Sequence, residues 1–497
     1  MYEFKVSEMA EEFGVHRNTI RNWINAGTLP AKKGPGRKYL MTFEDYQSLC
    51  EKFGREPLVN STGNVDPDRV EEYEQSKKQP KPLDIGYREK TIYSDAQWAD
   101  ACQTCGTCAG GCPIAGVDGL DPRKIVRMAV LGMEDELKDS DWPWKCTMCG
   151  MCENVCPAGV EILALIRRLR SLRNRDLVPG SIHEGVTTCL ERGNNLGIPK
   201  DDFVSLCEVL GRELAEEGLT GFQTPIDVVG SRVLVTVNSK EPFAEPDDMK
   251  FLWRILYAAG ESWTISSENW EGVNWGYFSG DDNAMKTVVG RIVDNMRRLQ
   301  CEVLLLPEIG HAYFATRAGL NRWFPDALKE FKILSMFDLL IEYLNLGRIK
   351  LDNSRHSMRT TYHDPCNYGR RSMKAFGEAY FEEGRIITRA ACRDFKDMEP
   401  NGEMNYCCGA GGGAWAMPFT QERVFYGRMK ARQIEETGAK LVIAPCHNCR
   451  DQLRRSLNHE YDLGIEVKCL WELVADSLIM PGQEKETAKA IIQGSLK

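Results

Sequence analysis

Apolar positions recur along this chain in two periods, and the change from one to the other maps its organisation. Residues 7–13 read as a short helix with Ser7 at its N-cap, and Gly14-Val15 supplies a turn. Residues 18–26 read as a second amphipathic helix ending at Gly27. A basic, glycine-rich loop over 32–38 separates it from a third helix near 43–53. Pro122 at a first turn and Gly132 at the end mark a further helix. Residues 160–173 form a basic amphipathic helix, whose Arg167, Arg168, Arg170 and Arg173 are expected on a solvated face that offers an acidic partner a docking surface. Beyond residue 227 the apolar runs shorten to strand length, at 232–237, 301–306, 360–363 and 440–444. Residues 55–83, with Pro57, Gly63, Pro67, Pro80, Pro82 and a mixed-charge run, have linker composition.

The strand-length runs fall into a weak internal repeat. The second copy runs from strand 360–363 through Asp364-Pro365-Cys366-Asn367, then Tyr406-Cys407-Cys408-Gly409, to strand 440–444 and Pro445-Cys446-His447-Asn448-Cys449. The first copy has strand 232–237, Tyr277-Phe278-Ser279-Gly280, strand 301–306 and Pro307-Glu308-Ile309-Gly310-His311. Glu308 and His311 stand where the second copy has Cys446 and Cys449, and Ser279 stands near the cysteine pair. Carboxylate and imidazole are harder ligands than thiolate, so the first copy is expected to hold no cluster. It is expected to serve as scaffold and as one wall of a cleft, with His311 a candidate proton donor there.

Composition narrows the class. The 497 residues are 42% hydrophobic and 27% charged, which is ordinary for a globular chain and allows about three domains. A net charge of −9 argues against nucleic acid as the main partner of the whole chain. The charged N-terminus is no signal peptide, and no stretch reaches the ~18–20 apolar residues of a membrane span. The expected location is cytoplasmic, or peripheral on the cytoplasmic membrane face through a partner.

Cysteine spacing then carries the chemistry. Thirteen of nineteen cysteines fall into three constellations. The first is Cys102-x2-Cys105-x2-Cys108-x3-Cys112-Pro113, and the second repeats it as Cys146-x2-Cys149-x2-Cys152-x3-Cys156-Pro157. Such runs hold paired cubane [4Fe–4S] clusters, the fourth cysteine of each run ligating the other cluster. By that rule Cys102, Cys105, Cys108 and Cys156 hold one cubane, and Cys146, Cys149, Cys152 and Cys112 the other. Zinc would favour two CxxC pairs, and disulfides are disfavoured in a long chain without a secretory signal. The third constellation is Cys366, Cys407, Cys408, Cys446 and Cys449, one thiolate more than a cubane takes. Residues 409–413 (GAGGG) give permissive backbone for wrapping a cofactor but lack the lysine of a phosphate-binding loop, so a nucleotide is rejected. Cys50, Cys189, Cys207, Cys301, Cys392 and Cys469 have no ligand spacing and read as small buried hydrophobes.

Two resemblances follow from these motifs. Residues 1–54 resemble a winged helix-turn-helix of the MerR/excisionase type, in which Arg17, Asn18, Thr19 and Arg21 would face a DNA groove. A docking or structural module is the alternative. Residues 95–480, through DPCNYGR, CCGAGGG and APCHNC, resemble the CCG-domain D subunits of heterodisulfide reductases, and most closely the DsrK subunits of the sulfite-reduction membrane complex. That resemblance implies a multidomain α+β and α/β chain. Its expected parts are a helix-turn-helix (1–54), a linker (55–83), a helical two-cubane ferredoxin-type domain (84–180), a helical connector (181–226), a degenerate CCG repeat (227–345) and a cluster-binding one (346–480). It also implies a noncubane [4Fe–4S] cluster on the five cysteines that cleaves a disulfide or trisulfide, of a small thiol or a DsrC-type sulfur carrier. Electrons would come from a membrane cytochrome b-type subunit or a soluble flavoprotein through the two cubanes. His447, between two ligands, and His363, three residues before another, are candidate proton donors; histidines bonded to the backbone are the alternative. Two other functions stay open: a quinone-linked dehydrogenase subunit acting on lactate, glycolate, glycerol phosphate or electron-transfer flavoprotein, and a redox-sensing DNA-binding regulator.

Overall fold

The computed structural model describes most of residues 2–52 and residues 101–481 apart from Glu308. The expected Ser7 cap, the Gly14-Val15 turn, the side chains of Arg17 and Asn18, the linker at 55–83 and Glu308 lie outside the described residues. The chain divides into two compact units, Met1–Ser94 with Arg127–Pro143, and Asp95–Val126 with Trp144–Lys497.

In the first unit, strands β1 (Tyr2–Lys5), β2 (Lys32–Lys33) and β3 (Lys38–Met41) form an antiparallel sheet in the order β1-β3-β2. Part of the expected basic loop is thus strand: Lys32 and Lys33 pair with Leu40 and Tyr39. Helices Arg17–Asn25 and Phe43–Lys52 lie within a residue of expectation. Thr42 fixes the start of the second, its hydroxyl accepting from the Asp45 amide at 3.1 Å and donating to the Asp45 carboxylate. Phe4, Phe13, Ile20, Leu29, Met41 and Tyr46 fill the core of this small module.

The second unit is built on two parallel sheets. Strands β4 (Val233–Val235), β5 (Trp263–Ile265), β6 (Val303–Leu305) and β7 (Lys332–Leu334) take the order β5-β4-β6-β7. Strands β8 (Thr360–Tyr362), β9 (Leu441–Ile443) and β10 (Glu466–Lys468) take the order β10-β9-β8, and a parallel bridge from Thr360 to Phe395 stands in the place of β5. Every residue of β4, β6, β8 and β9 is buried, as expected for parallel strands covered on both faces. Val233 opposes Val303 as Thr360 opposes Leu441, so the central strand pair of each sheet is parallel and in the same register. That register places His311 opposite Cys449 in the repeat, as the sequence suggested, and makes Ser239 the counterpart of Cys366. The cysteines follow the carboxyl ends of β8 and β9, where open parallel sheets place their ligand sites.

Helix Ile162–Leu172 departs from expectation. None of its arginines forms a solvated face. Arg170 is fully buried and donates to the carbonyls of Phe278 (2.8 Å), Gly412 (2.8 Å) and Cys146 (2.9 Å). Arg167 pairs with Asp282 at 2.7 Å, and Arg173 is buried. Carbonyls at the ends of broken elements need donors, and a guanidinium supplies several at once.

The two repeats are joined by a buried ionic cluster. Arg450, 1% exposed, reaches across to Asp248 (2.6 and 2.8 Å) and Glu245, and His447 Nε2 lies 3.0 Å from Asp248. Burial alone would raise the Asp248 carboxyl, but His447 and Arg450 outweigh it and hold it below the usual range. Arg450→Ala leaves these carboxylates buried without their cation and is expected to cost about 3–5 kcal/mol. A denaturation midpoint equal to that of the parent protein would show that the cluster does not hold the repeats together.

Candidate metal centres

Both short cysteine runs fold alike. In the first, Thr104 and Gly106 have positive φ (56° and 84°); in the second, Met148 and Gly150 do (50° and 76°). This left-handed pair turns each loop inward, and a one-turn helix follows, Thr107–Gly110 or Met151–Asn154. Glycine carries the second left-handed residue at no steric cost. Backbone amides point at sulfur: Met148 donates to Cys146 Sγ and Val160 to Cys156 Sγ, both at 3.4 Å.

The runs exchange their fourth cysteines. Cys102, Cys105, Cys108 and Cys156 line one cavity, with Arg123 and Val160. Burial pushes Cys108 up to about 11, with Cys156 and Cys102 adding to it. Cys112 lies instead with the other run: burial pushes its thiol well up, and Cys146 and Cys149 push it further. Four thiols with inward amides match the donor set of a cubane at each place.

The third constellation comes together completely. Cys366, Cys407, Cys408, Cys446 and Cys449 line one cavity between the repeats, with Phe278, Gly310 and His311 of the first copy closing it. Cys408 and Cys449 sulfurs are 3.3 Å apart. Hydrogen bonding with Cys407 and Cys449 holds Cys408 well below the usual thiol range, and Cys449 brings Cys446 to about 7. Cys366 is pushed up to about 12 by burial. Five thiols converging on one cavity fit the donor set of a thiolate-bound iron–sulfur core.

This cavity abuts the second short run. The Cys149 thiol donates to Cys407, and Thr147 Oγ1 lies 3.5 Å from Cys407 Sγ. The glycine stretch makes the approach possible. A Cβ on Gly411 would come within 2.4 Å of the Thr147 carbonyl, and one on Gly412 (φ +63°) within 2.6 Å of the Cys146 carbonyl. The glycines therefore wrap a neighbouring loop as well as the cavity.

The three histidines part company. His363 is buried beside Cys408 and Cys449, and its Nδ1 has no hydrogen-bond partner among the described residues. Burial, followed by Lys430, holds it neutral. His447 turns away to Asp248 and Glu241 and does not line the cavity. His311 donates from Nε2 to the Asn274 carbonyl at 3.0 Å, stacks on Phe278 with centroids 3.8 Å apart, and is pushed down to about 3 by burial. It offers the cavity an aromatic wall and no charged acid.

The sequence reading missed several residues that shape the site. Arg370 donates to the carbonyls of Glu403 (2.8 Å), Asn405 and Cys149 (3.5 Å). Lys430, fully buried near Cys408 and Asp364, is pushed down to about 8 by burial. Arg370 stood inside a motif already singled out; Lys430 lies in a helix with no distinguishing pattern.

Comparison with known proteins agrees with this arrangement. Residues 98–160 match the 4Fe-4S dicluster domain, 360–454 the CCG cysteine-rich domain and 3–45 a helix-turn-helix domain. The chain is a CCG-domain iron–sulfur protein with an N-terminal helix-turn-helix. It is 25% identical over 352 residues to the Hdr-like menaquinol oxidoreductase iron-sulfur subunit of Archaeoglobus profundus, covering 61% of each chain. A second protein of that description, from Archaeoglobus fulgidus, is 25% identical over 351 residues, again 61% of each chain. A dihydromethanophenazine:CoB–CoM heterodisulfide reductase chain of Methanosarcina acetivorans, the D subunit, is 31% identical over 170 residues, 33% of this chain and 38% of that one. The chain thus spans about three fifths of the length of the first two relatives.

Gly412→Ala tests the junction. The added methyl is expected to push the CCG loop off the Cys146 carbonyl and lower the iron retained by both neighbouring centres. Unchanged iron content and visible spectrum would contradict the close fit.

Proposed function

We propose that this chain reduces the S–S bond of a disulfide or trisulfide at a noncubane [4Fe–4S] cluster held by Cys366, Cys407, Cys408, Cys446 and Cys449. Two cubanes on Cys102, Cys105, Cys108 and Cys156, and on Cys146, Cys149, Cys152 and Cys112, deliver the electrons. The observation that carries the reading is the meeting of all five thiols at one cavity whose Cys407 touches Cys149 of the second run. The reaction is RS–SR′ + 2 e⁻ + 2 H⁺ → RSH + R′SH.

Cys366, Cys407, Cys408, Cys446 and Cys449 would hold the noncubane cluster, which would supply one-electron redox chemistry and affinity for sulfur at this cavity. The protein does the rest. The Cys149–Cys407 contact gives the electron a short path between centres. Phe278 and His311 exclude water from one side of the cavity. Lys430 and Arg370 place positive charge beside a site rich in thiolates, which opposes the negative charge gathered there. His363 Nδ1 is the ring nitrogen available to hydrogen-bond a sulfur at the cavity or to pass it a proton. His447 holds the repeats together, and His311 is a wall.

The menaquinol oxidoreductase relatives favour a quinol-oxidising membrane partner as the source of electrons. Among the described residues no helix is long and apolar enough to cross a membrane, so such a partner would supply the membrane segment. A relative described as EtfAB:quinone oxidoreductase supports the second reading, a relay to or from quinone without S–S chemistry.

Cys408→Ser separates the two. Iron is expected to fall from about twelve to about eight per chain, both cubanes staying reducible, with disulfide reduction lost. Retention of disulfide reduction with eight irons would remove the five-cysteine site from the chemistry, and about sixteen irons in the parent protein would refute the empty first repeat.

A further inference from the structure

A second cavity, of about 310 Å³, lies against the second cysteine run and is separate from the five-cysteine site. Its volume is that of a small-molecule pocket. Leu163, Tyr277, Met285 and Phe314 form an apolar side. Arg167, Arg322, Arg370, Arg371 and Lys374 form a cationic one, Arg370 being taken up by the carbonyls of Glu403, Asn405 and Cys149. Three of those cations are already matched: Arg167 and Arg322 share Asp282 at 2.7 Å each, and Lys374 meets Glu153 at 3.1 Å. Glu161 stands exposed at the rim.

Arg371 is different. Among the described residues no carboxylate lies within 4 Å of it. Its guanidinium donates to Asn367 Oδ1 at 2.6 Å and to the Tyr277 hydroxyl, which leaves three of its five N–H groups for a ligand. It stacks on Phe314, 3.8 Å from the ring centroid, and is 7% exposed. Burial opposes its charged form, but Tyr277, Cys366 and Glu153 already outweigh that cost, and the N–H groups not used by Asn367 and Tyr277 can take further acceptors. The backbone is shaped for it as well: a Cβ on Gly150, next to Cys149, would stand 3.0 Å from Arg371 Cγ. Asn367, which Arg371 holds, lines the five-cysteine cavity, so one wall serves both spaces.

We propose that this cavity binds a small organic anion with an apolar body. Its carboxylate, sulfonate or phosphate group sits on the free N–H groups of Arg371 as a forked pair. Its body lies against Phe314, Met285 and Leu163. The site stands whether or not the S–S reading holds, because binding is read without turnover.

Calorimetric titration of the cluster-loaded protein with 2-naphthoate, and with neutral 2-naphthamide, tests it. Saturable one-site binding of naphthoate is expected, with the amide about tenfold weaker. Arg371→Gln is expected to weaken naphthoate about tenfold and leave the amide unchanged. Arg322→Gln, at an exposed lining position whose pairing with Asp282 is replaced by a neutral amide, is expected to weaken naphthoate by a smaller factor at an unchanged unfolding midpoint. Absence of saturable binding, equal affinity for acid and amide, or naphthoate affinity unmoved in either variant would each overturn the site. A shift in cluster potentials in Arg371→Gln with naphthoate binding unmoved would do so too, since the arginine would then serve the clusters alone.

Discussion

Two glycines lie on two carbonyls, and the architecture of the second unit follows from that fit. Gly411 and Gly412 rest on the backbone of Thr147 and Cys146 so closely that a methyl group on either would collide with a carbonyl oxygen. This approach brings the Cys407 sulfur to Cys149 and makes two centres, drawn from segments some 260 residues apart, into one junction. Arg170 secures it from behind by bonding the carbonyls of Cys146, Gly412 and Phe278 together. A fully buried cation there is held by three carbonyl acceptors, and its guanidinium is pushed down to about 10 by burial.

The repeat divides its labour by chemistry. Both halves keep a parallel sheet with the same register, yet one presents thiols to the cavity and the other Phe278, Gly310 and His311. An aromatic wall suits a site that must exclude water while electrons move, because a low-dielectric surround strengthens every charge interaction inside it. The ionic cluster of Arg450, Asp248, Glu245 and His447 clamps the halves with carboxylates that do not line the five-cysteine cavity, and Asp364, which does line it, is paired with Arg385 at 2.7 Å.

Much of this was legible in the sequence, and what was not has a common cause. Cysteine spacing is local chemistry and pointed to three groups of thiols, and in the structure Cys156 lies with the first run, Cys112 near Cys146 and Cys149, and the five later cysteines at one cavity. The repeat was legible because buried parallel strands leave apolar runs. The arginines were not. Arg167, Arg170 and Arg173 look like a solvated face in helical projection, and only the tertiary fold shows the carbonyls and carboxylates that draw them inward. The adjacent Arg370 and Arg371 raise the same difficulty: one ties the Cys149 carbonyl and the other opens on a separate cavity. His447 looked like part of the site because it stands between two cysteines, but the helix beginning at that residue turns its ring to the first repeat.

The second cysteine run and the five-cysteine constellation share one junction, and pulsed electron paramagnetic resonance on cluster-loaded protein, reduced to leave the centres at both places paramagnetic, measures this directly. A strong spin–spin interaction between them is expected, lost in Cys149→Ser or Cys407→Ser. Two independent, uncoupled signals in the intact protein would contradict it.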